Sequence, residues 1–314
     1  MKHVTLVGCG NIGFRHLQAL GAMSVAPQVA LTVVEPFAGH HDRIASELDR
    51  AMFGQHDLVT ALPAARKDID LAVLATNADV RRTVTDALLD THNVAAIIFE
   101  KILFQRIADI DAVEARLDRI RAHVNCGRRG FPGYHALRRD IAGQGPANVT
   151  VTGTNYALAS NAIHLIDIAA YLNDSPVVSI DSHDLDPKIE SSKRAGYVEV
   201  FGTLHATLAN GAKVALTCLR GDGLLLDITV ATPTQTWRIN ELGGTITDET
   251  ASAPRPFETR HVSGMPELYE SLLTDQPCPL TPYAEAADQH RLLLRALNVH
   301  LQRGDDPDTL CPIS

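Results

Sequence analysis

The chain has 314 residues, long enough for two domains, and its 45% hydrophobic and 21% charged residues are the balance of a globular protein. The formal net charge is −9 with no dense lysine–arginine block, which argues against nucleic-acid or anionic-membrane partners. The longest apolar runs are about six to eight residues, well short of the ~20 needed to span a bilayer.

The first strand is expected at about His3, with no room before it for a leader segment. Five cysteines (Cys9, Cys126, Cys218, Cys278 and Cys311) are dispersed, with no CxxC pair. That usage points to reduced thiols in a cytoplasm and argues against a zinc site or disulfide framework, so no metal is expected.

In chain order, HVTLV (residues 3–7) is a β-rich strand that runs into GCGNIG. Gly8, Gly10 and Gly13 carry the GxGxxG spacing, with Asn11 and Ile12 between the last two, and IGFRHLQAL continues at helical periodicity. The motif is weak alone, but after a strand and at the start of a helix it is a dinucleotide-binding signature. The first glycine makes the turn, the second admits a pyrophosphate to the backbone, and the third lets helix pack on strand. The helix N-terminus then faces the anion.

The next strand, VALTVVE, ends in Glu35, 22 residues after Gly13. An acid there binds the ribose hydroxyls of the adenosine half and repels a 2′-phosphate, so NAD is expected over NADP. The competing reading is a solvated glutamate at a strand end. DLAVLAT (70–76) is a buried-type strand whose loop offers Thr76 and Asn77, followed by a helix from about Asp79 to Asp90. VAAIIFE (94–100) is another strand, and apolar spacing predicts a helix from Ile107 to His123. Strand–helix alternation implies a parallel sheet covered on both faces, with ligands beyond the carboxyl ends of its strands. Glu100 and Lys101 lie at that edge. An ammonium beside a reacting alcohol oxygen would stabilise developing alkoxide character. The plain alternative is an ordinary solvated lysine.

After residue 123 the pattern changes. VNCGRRG (124–130) reads as a further strand entering a basic loop, and PGYHALRRDIAGQG as a short helix. Long β-rich segments follow, with Asn210-Gly211 and Gly243-Gly244 as hairpin turns. NAIHLIDIAAYL is a helix from about Asn161 to Leu172, and His164 and Asp167 lie one turn apart on it. PYAEAADQHRLLLRALNVHLQ (282–302) is an amphipathic helix. The expected fold is α/β: a Rossmann dinucleotide-binding domain over 1–123, then an α+β domain over 124–314 with a large, mostly antiparallel sheet. The helix 282–302 is placed to pack back on the first domain. Open sheets of this kind commonly pair one face with a second subunit, so a homodimer or homotetramer is expected.

Together, GCGNIGFRH, the ATNADV loop, the Glu100-Lys101 pair and NAIHLID before a large sheet resemble the glucose–fructose oxidoreductase / inositol dehydrogenase (Gfo/Idh/MocA) family over most of the chain. The resemblance implies an NAD(P)-dependent oxidoreductase acting on a sugar, amino sugar or cyclitol, with Lys101 and His164 as catalytic residues. His164 would take the proton of a secondary alcohol as hydride leaves its carbon. Arg129, Asn155, Tyr156, Asn161 and Asp167 are the candidate contacts for substrate hydroxyls or a charged group; the competing reading makes each structural, with Asp167 orienting His164 or bridging to backbone and Arg129 in an ordinary surface ion pair. Four positions depart from the family pattern: Ile102 stands where it has proline, Ser160 where it has an aspartate, and Asn77 and Arg81 where it shows proline and often histidine. Asn125-Cys126-Gly127-Arg128-Arg129 resembles members from surface-polysaccharide and amino-sugar pathways. Two other functions fit the same residues: an imine or ring reductase, and an NAD(H)-binding sensor that has lost turnover. A core histidine is the plain reading of His164.

Overall fold

The computed structural model describes residues 1–250 and 253–314. It divides into two compact units. The first comprises Met1–Phe104, Asp109–Asn125 and Arg260–Tyr283; the second comprises Gln105–Ala108, Cys126–Thr259 and Ala284–Ser314. The division is not the single cut expected near residue 123, because Arg260–Tyr283 returns to the first unit. The C-terminal helix, Tyr283–His300, falls almost entirely in the second.

The first unit is built on six parallel strands: β1 (Lys2–Val7), β2 (Val29–Val34), β3 (Gln55–Val59), β4 (Leu71–Leu74), β5 (Ala96–Phe99) and β6 (Arg121–Val124). Their order across the sheet is β3-β2-β1-β4-β5-β6, and the short strand Thr281–Pro282 adds antiparallel to β6. Every residue of β2, β4 and β5 is buried, as expected for strands covered on both faces. Strand order reverses between β1 and β4, the position at which open α/β sheets leave a crevice for ligands. Helices α1 (Asn11–Gly21), α2 (His41–Arg50), α3 (Ala78–Thr91) and α4 (Ile107–Glu114) follow β1, β2, β4 and β5.

Two departures from expectation have physical causes. The helix expected to reach His123 ends at Glu114, and Arg121–Val124 is instead the last parallel strand, paired with β5. Arg121 and His123 alternate there with Ala122 and Val124, and only Val124 is buried, so the segment carries no apolar run to mark a strand. Strand β3 (QHDLV) was silent for a similar reason: it is the sheet edge and its first three residues are exposed.

The second unit holds the sheet β8-β9-β10-β7-β11-β12-β13, ending in the short strand Arg255–Pro256. Its strands are β7 (Asn148–Thr154), β8 (Val177–Leu185), β9 (Gly202–Leu208), β10 (Lys213–Leu219), β11 (Leu225–Ala231), β12 (Thr236–Asn240) and β13 (Thr245–Asp248). All pairings are antiparallel except β10 with β7. Burial alternates along β7, β10 and β11, so one face is covered and the other open. Helix α5 (Pro132–Asp140) and helix α6 (Leu158–Asn173) pack together, and α6 lies on β10. The hairpin turn at Asn210-Gly211 is formed, with Gly211 at φ 90°, where glycine alone is unstrained. No helix among the described residues is long and apolar enough to cross a membrane.

Arg81, on α3, is buried inside the first unit. Its guanidinium donates to the carbonyls of Glu100 and Leu103, each at 2.7 Å, and to those of Ile102 and Thr76. One cation therefore ties together the loops that leave β4 and β5. Arg81→Met keeps the apolar stem and removes the donors. With each orphaned buried carbonyl costing roughly 1–3 kcal/mol, we expect a loss of at least about 3 kcal/mol in urea unfolding. A change below about 1 kcal/mol would show that other groups serve those carbonyls.

Candidate active site

The glycine loop sits at the carboxyl end of β1, beside the reversal of strand order. Gly8 has φ 82°, and a Cβ there would meet Thr76 Cγ2 at 3.1 Å and backbone at 3.2 Å. A Cβ on Gly13 would stand 2.1 Å from the Gly8 carbonyl oxygen, so helix α1 can start this close to β1 only with glycine at 13. Gly10 differs: a Cβ there would meet nothing nearer than His40 Cε1 at 4.0 Å. Packing within the chain does not demand glycine at 10. The space in front of it is what an approaching pyrophosphate would occupy. Helix α1 begins with no side-chain cap and no acid in its first turn, leaving its N-terminal dipole to an external anion. Asn11 and Ile12 are exposed at its start. The Oγ1 of Thr76, whose Cγ2 stands closest to Gly8, is buried with no hydrogen-bond partner among the described residues. These features fit a dinucleotide.

Glu35 follows β2 and is buried. Its Oε2 accepts from the Cys9 amide at 2.6 Å and its Oε1 from the Phe37 amide at 2.9 Å, with His40 Nδ1 at 3.3 Å from Oε2. Burial works against ionisation, yet these amides and His40 hold the carboxyl below its ordinary value. The acid expected at a ribose thus also fixes the glycine loop. The Cys9 thiol is pushed up to about 12, by burial first and then by Glu35, so it stays neutral. Arg43 closes the same corner, donating to the Cys9 carbonyl at 2.8 Å and lying over the Phe14 ring. Asn77 is exposed and is the residue before α3, but its side chain makes no cap.

Glu100 is buried, not at the surface. It accepts from His16 Nε2 at 2.7 Å and Asn125 Nδ2 at 2.5 Å, and His16 Nδ1 meets the Tyr269 hydroxyl at 2.6 Å. Burial and the Glu100 charge push the Tyr269 hydroxyl up, so it remains a donor to Nδ1 and leaves Nε2–H to donate to Glu100. Lys101, next along the chain, is half-buried, and the following Ile102, Leu103 and Phe104 are fully buried. The Lys101–Ile102 peptide bond is cis. His16 was missed from sequence, although it lies one turn after Gly13, a polar residue on the buried face of α1.

In the second unit, His164 is half-buried on α6 and Ser160 sits in the first turn of that helix. Ala157, before α6, is left-handed at φ 59°, a strained conformation for alanine. The Ala159 amide donates to Glu199 Oε1 at 2.6 Å, so a carboxylate from the strand Val198–Glu199 caps the helix. Nothing in the sequence marks Glu199 for this. Asp167 shares the helix with His164 but is completely buried. Arg129 grips it with two bonds, Nε to Oδ2 at 2.9 Å and a terminal nitrogen to Oδ1 at 2.7 Å, and also pairs with Glu285. Burial opposes the charge on Arg129, but Asp167 and Glu285 outweigh it and keep the guanidinium charged. Two residues expected at a substrate therefore hold each other. Asn155, at φ 52°, donates to the Gly223 carbonyl at 3.0 Å, and Asn161 donates to the Tyr156 carbonyl at 2.6 Å. Tyr156 Oη is buried without a partner among the described residues.

The Glu100 carboxyl is held below its ordinary value near 4.5: burial opposes ionisation, but the bonds from His16 and Asn125 prevail. A depressed folded-state value contributes stability above the unfolded value, and that contribution is lost as pH falls through the folded one. Glu100→Gln should therefore lower the melting temperature near neutral pH, with the deficit shrinking below about pH 4.5. A deficit independent of pH would mean that the ionised carboxyl contributes nothing. For Asp167→Asn we expect the stability loss of a broken buried pair, roughly 3–5 kcal/mol. Unchanged unfolding in that variant would return Asp167 to a role outside the fold.

No protein-family model and no curated protein matches the chain. Solved structures do. UDP-N-acetylglucosamine 3-dehydrogenase GnnA from Acidithiobacillus ferrooxidans is similar over 97% of this chain and 98% of its own, with TM-score 0.70 and 16% identity. A putative myo-inositol dehydrogenase from Sinorhizobium meliloti 1021 is similar over 96% and 98%, with TM-score 0.67 and 17% identity. The transcriptional regulator Gal80p from Kluyveromyces lactis is similar over 97% and 94%, with TM-score 0.72 and 14% identity. Over nearly its whole length the chain has the fold of these structures, the fold implied by its resemblance to the glucose–fructose oxidoreductase / inositol dehydrogenase family.

Proposed function

We propose that the protein is a nicotinamide-dependent oxidoreductase that interconverts a secondary alcohol and ketone on a sugar, amino sugar or cyclitol. The observation that carries this is Gly10: uncrowded by the chain itself, at the uncapped start of α1, where strand order reverses. The dehydrogenases among the similar structures support the substrate class, as do Lys101 and His164, both retained where the family resemblance puts catalytic groups.

A bound dinucleotide would supply the hydride acceptor or donor. Gly8, Gly10, Asn11, Ile12 and Gly13 would hold its pyrophosphate, Glu35 its ribose, and Thr76, Asn77, Glu100 and Lys101 would line the strand ends. We propose NAD over NADP, because the Glu35 carboxyl is held ionised and repels a 2′-phosphate. Each carboxylate oxygen accepts two bonds, so holding the loop leaves capacity for a hydroxyl. His164 takes the alcohol proton in oxidation and returns it in reduction. The Lys101 ammonium stabilises the developing charge on oxygen. Asn155, Tyr156 and Asn161 are the proposed substrate contacts near the start of α6. Arg129 and Asp167 support that helix from below.

We also propose a homodimer or homotetramer in the cytoplasm. The open face of the second sheet exposes Val178, Leu219 and Leu225. A second function, an NAD(H)-binding sensor, is favoured by Ser160 at the aspartate position and by the likeness to Gal80p.

Three measurements test these proposals. NADH should bind at least tenfold tighter than NADPH by fluorescence titration, and Glu35→Gln should narrow that ratio; binding of neither nucleotide would overturn the dinucleotide site. His164→Asn should lower turnover by ~10²–10⁴-fold with NADH affinity intact. Wild-type-like turnover would remove His164 from catalysis, and NADH binding without turnover on any keto-sugar or imine would favour the sensor.

A further inference from the structure

Outside the candidate active site, the edge of the second sheet gathers two imidazoles and two carboxylates. Among the described residues, His183, Asp184 and His205 form the one group of three such side chains whose ligand atoms all lie within 4.8 Å of one another. A strand irregularity brings them together. In a regular strand, neighbours point to opposite faces, so His183 and Asp184 could not share one. Here β8 and β9 lose register: Asp181 pairs with His205, but Asp184 pairs with Thr203. Three steps on β8 oppose two on β9, which is a β-bulge. Ser182 points inward and donates to the Ala296 carbonyl at 2.8 Å, while His183 and Asp184 both remain outside, beside His205.

The orientation within the group is specific. Asp184 lies between the two rings: His205 Nε2 is 2.8 Å from its Oδ2, and His183 Nε2 is 3.2 Å from its Oδ1. The rings stack with centroids 5.5 Å apart and an interplanar angle of 18°, so they present the same nitrogen to the same carboxylate. Behind them, Asp181 Oδ1 accepts His183 Nδ1–H at 2.7 Å and the His183 amide at 2.9 Å. A carboxylate on Nδ1 selects, in the neutral ring, the tautomer whose Nε2 lone pair a metal takes, which is how metal-binding histidines are commonly supported.

We propose that His183 Nε2, His205 Nε2 and the Asp184 carboxylate bind a divalent transition-metal ion of the zinc class, with Asp181 as the positioning residue behind His183. Two imidazoles and a carboxylate are a donor set for such ions, and water completes the shell. Ligands on tetrahedral zinc stand about 3.3 Å apart for bonds of ~2.0 Å, so small side-chain rotations within the cluster suffice. The metal replaces the proton that Asp184 now shares with His205. Dispersed cysteines gave no hint of it, because the donors are brought together by strand pairing, not by a sequence motif.

The test is calorimetric titration of the full chain with ZnCl₂, with CoCl₂ followed by visible absorption as a geometry probe. We expect one saturable equivalent, with tetrahedral or five-coordinate cobalt bands. His183→Ala/His205→Ala should lose that equivalent, with at least a 100-fold drop in affinity. Asp181→Asn should weaken binding by ~10–100-fold while keeping the stoichiometry. Absence of saturable binding to the native protein, or binding unchanged in the double variant, overturns the site. Unchanged affinity in Asp181→Asn overturns the positioning role. The substituted side chains are solvent-accessible, and far-UV circular dichroism verifies that each variant is folded.

Discussion

A Cβ on residue 13 would stand 2.1 Å from the Gly8 carbonyl oxygen, far inside van der Waals contact, and much of the first unit follows from that closeness. Because α1 starts hard against the end of β1, its first-turn amides open toward the reversal of strand order, and none of the described residues comes nearer than His40 Cε1, 4.0 Å from where a Gly10 Cβ would stand. The loop is held by charge placed behind it: Glu35 takes the Cys9 and Phe37 amides, and Arg43 takes the Cys9 carbonyl. One turn into the same helix, His16 reaches Glu100 at the end of β5. The glycine contact thus sets both an opening for a ligand and the tether of the strand that carries Lys101.

A second cation works on the same edge. The family pattern puts proline after the lysine and often histidine at the start of α3, and this chain has Ile102 and Arg81. Arg81 gathers carbonyls from both loops, so the conformation of the Glu100–Leu103 segment rests on hydrogen bonds from a buried guanidinium. The two departures are therefore linked in space, though 21 residues apart in the chain. In the second unit Arg129 fills a comparable position beneath α6. It holds Asp167 and Glu285, while His164, like Ser160 and Asn161 a turn earlier, stays half-buried on that helix.

Legibility from sequence followed the strength of local patterns. Buried parallel strands such as AIIF and LAVL announce themselves by continuous apolarity, and GxGxxG by its place between strand and helix. The outer strands do not: QHDLV and RAHV mix polar with apolar residues because one side of each is open or only briefly covered. The tight packing at Gly8 and Gly13 and the position of Glu35 at the end of β2 were readable from spacing. Asp167 was seen but its partner was not, since Arg129 lies 38 residues away and only tertiary structure joins them. Glu199, His205 and the bulge after Asp181 carry no sequence signal, because each depends on which strands become neighbours.

The interleaving of the two units has a consequence for biosynthesis. The first sheet is not finished by the first 125 residues: its last strand, Thr281–Pro282, and the helix Glu267–Leu273 whose Tyr269 meets His16 come from beyond the entire second sheet. A nascent chain can pair β1 to β6 early, but it exposes the β6 edge and the unfilled side of His16 until nearly all of the polypeptide has left the ribosome. Closing such distant contacts is slow relative to forming local ones. The sheet of the second unit, within Cys126–Thr259, can form during that wait, though the helix Tyr283–His300 joins that unit later still, and the order of emergence makes Arg260–Tyr283 the segment on which the first unit's final packing depends.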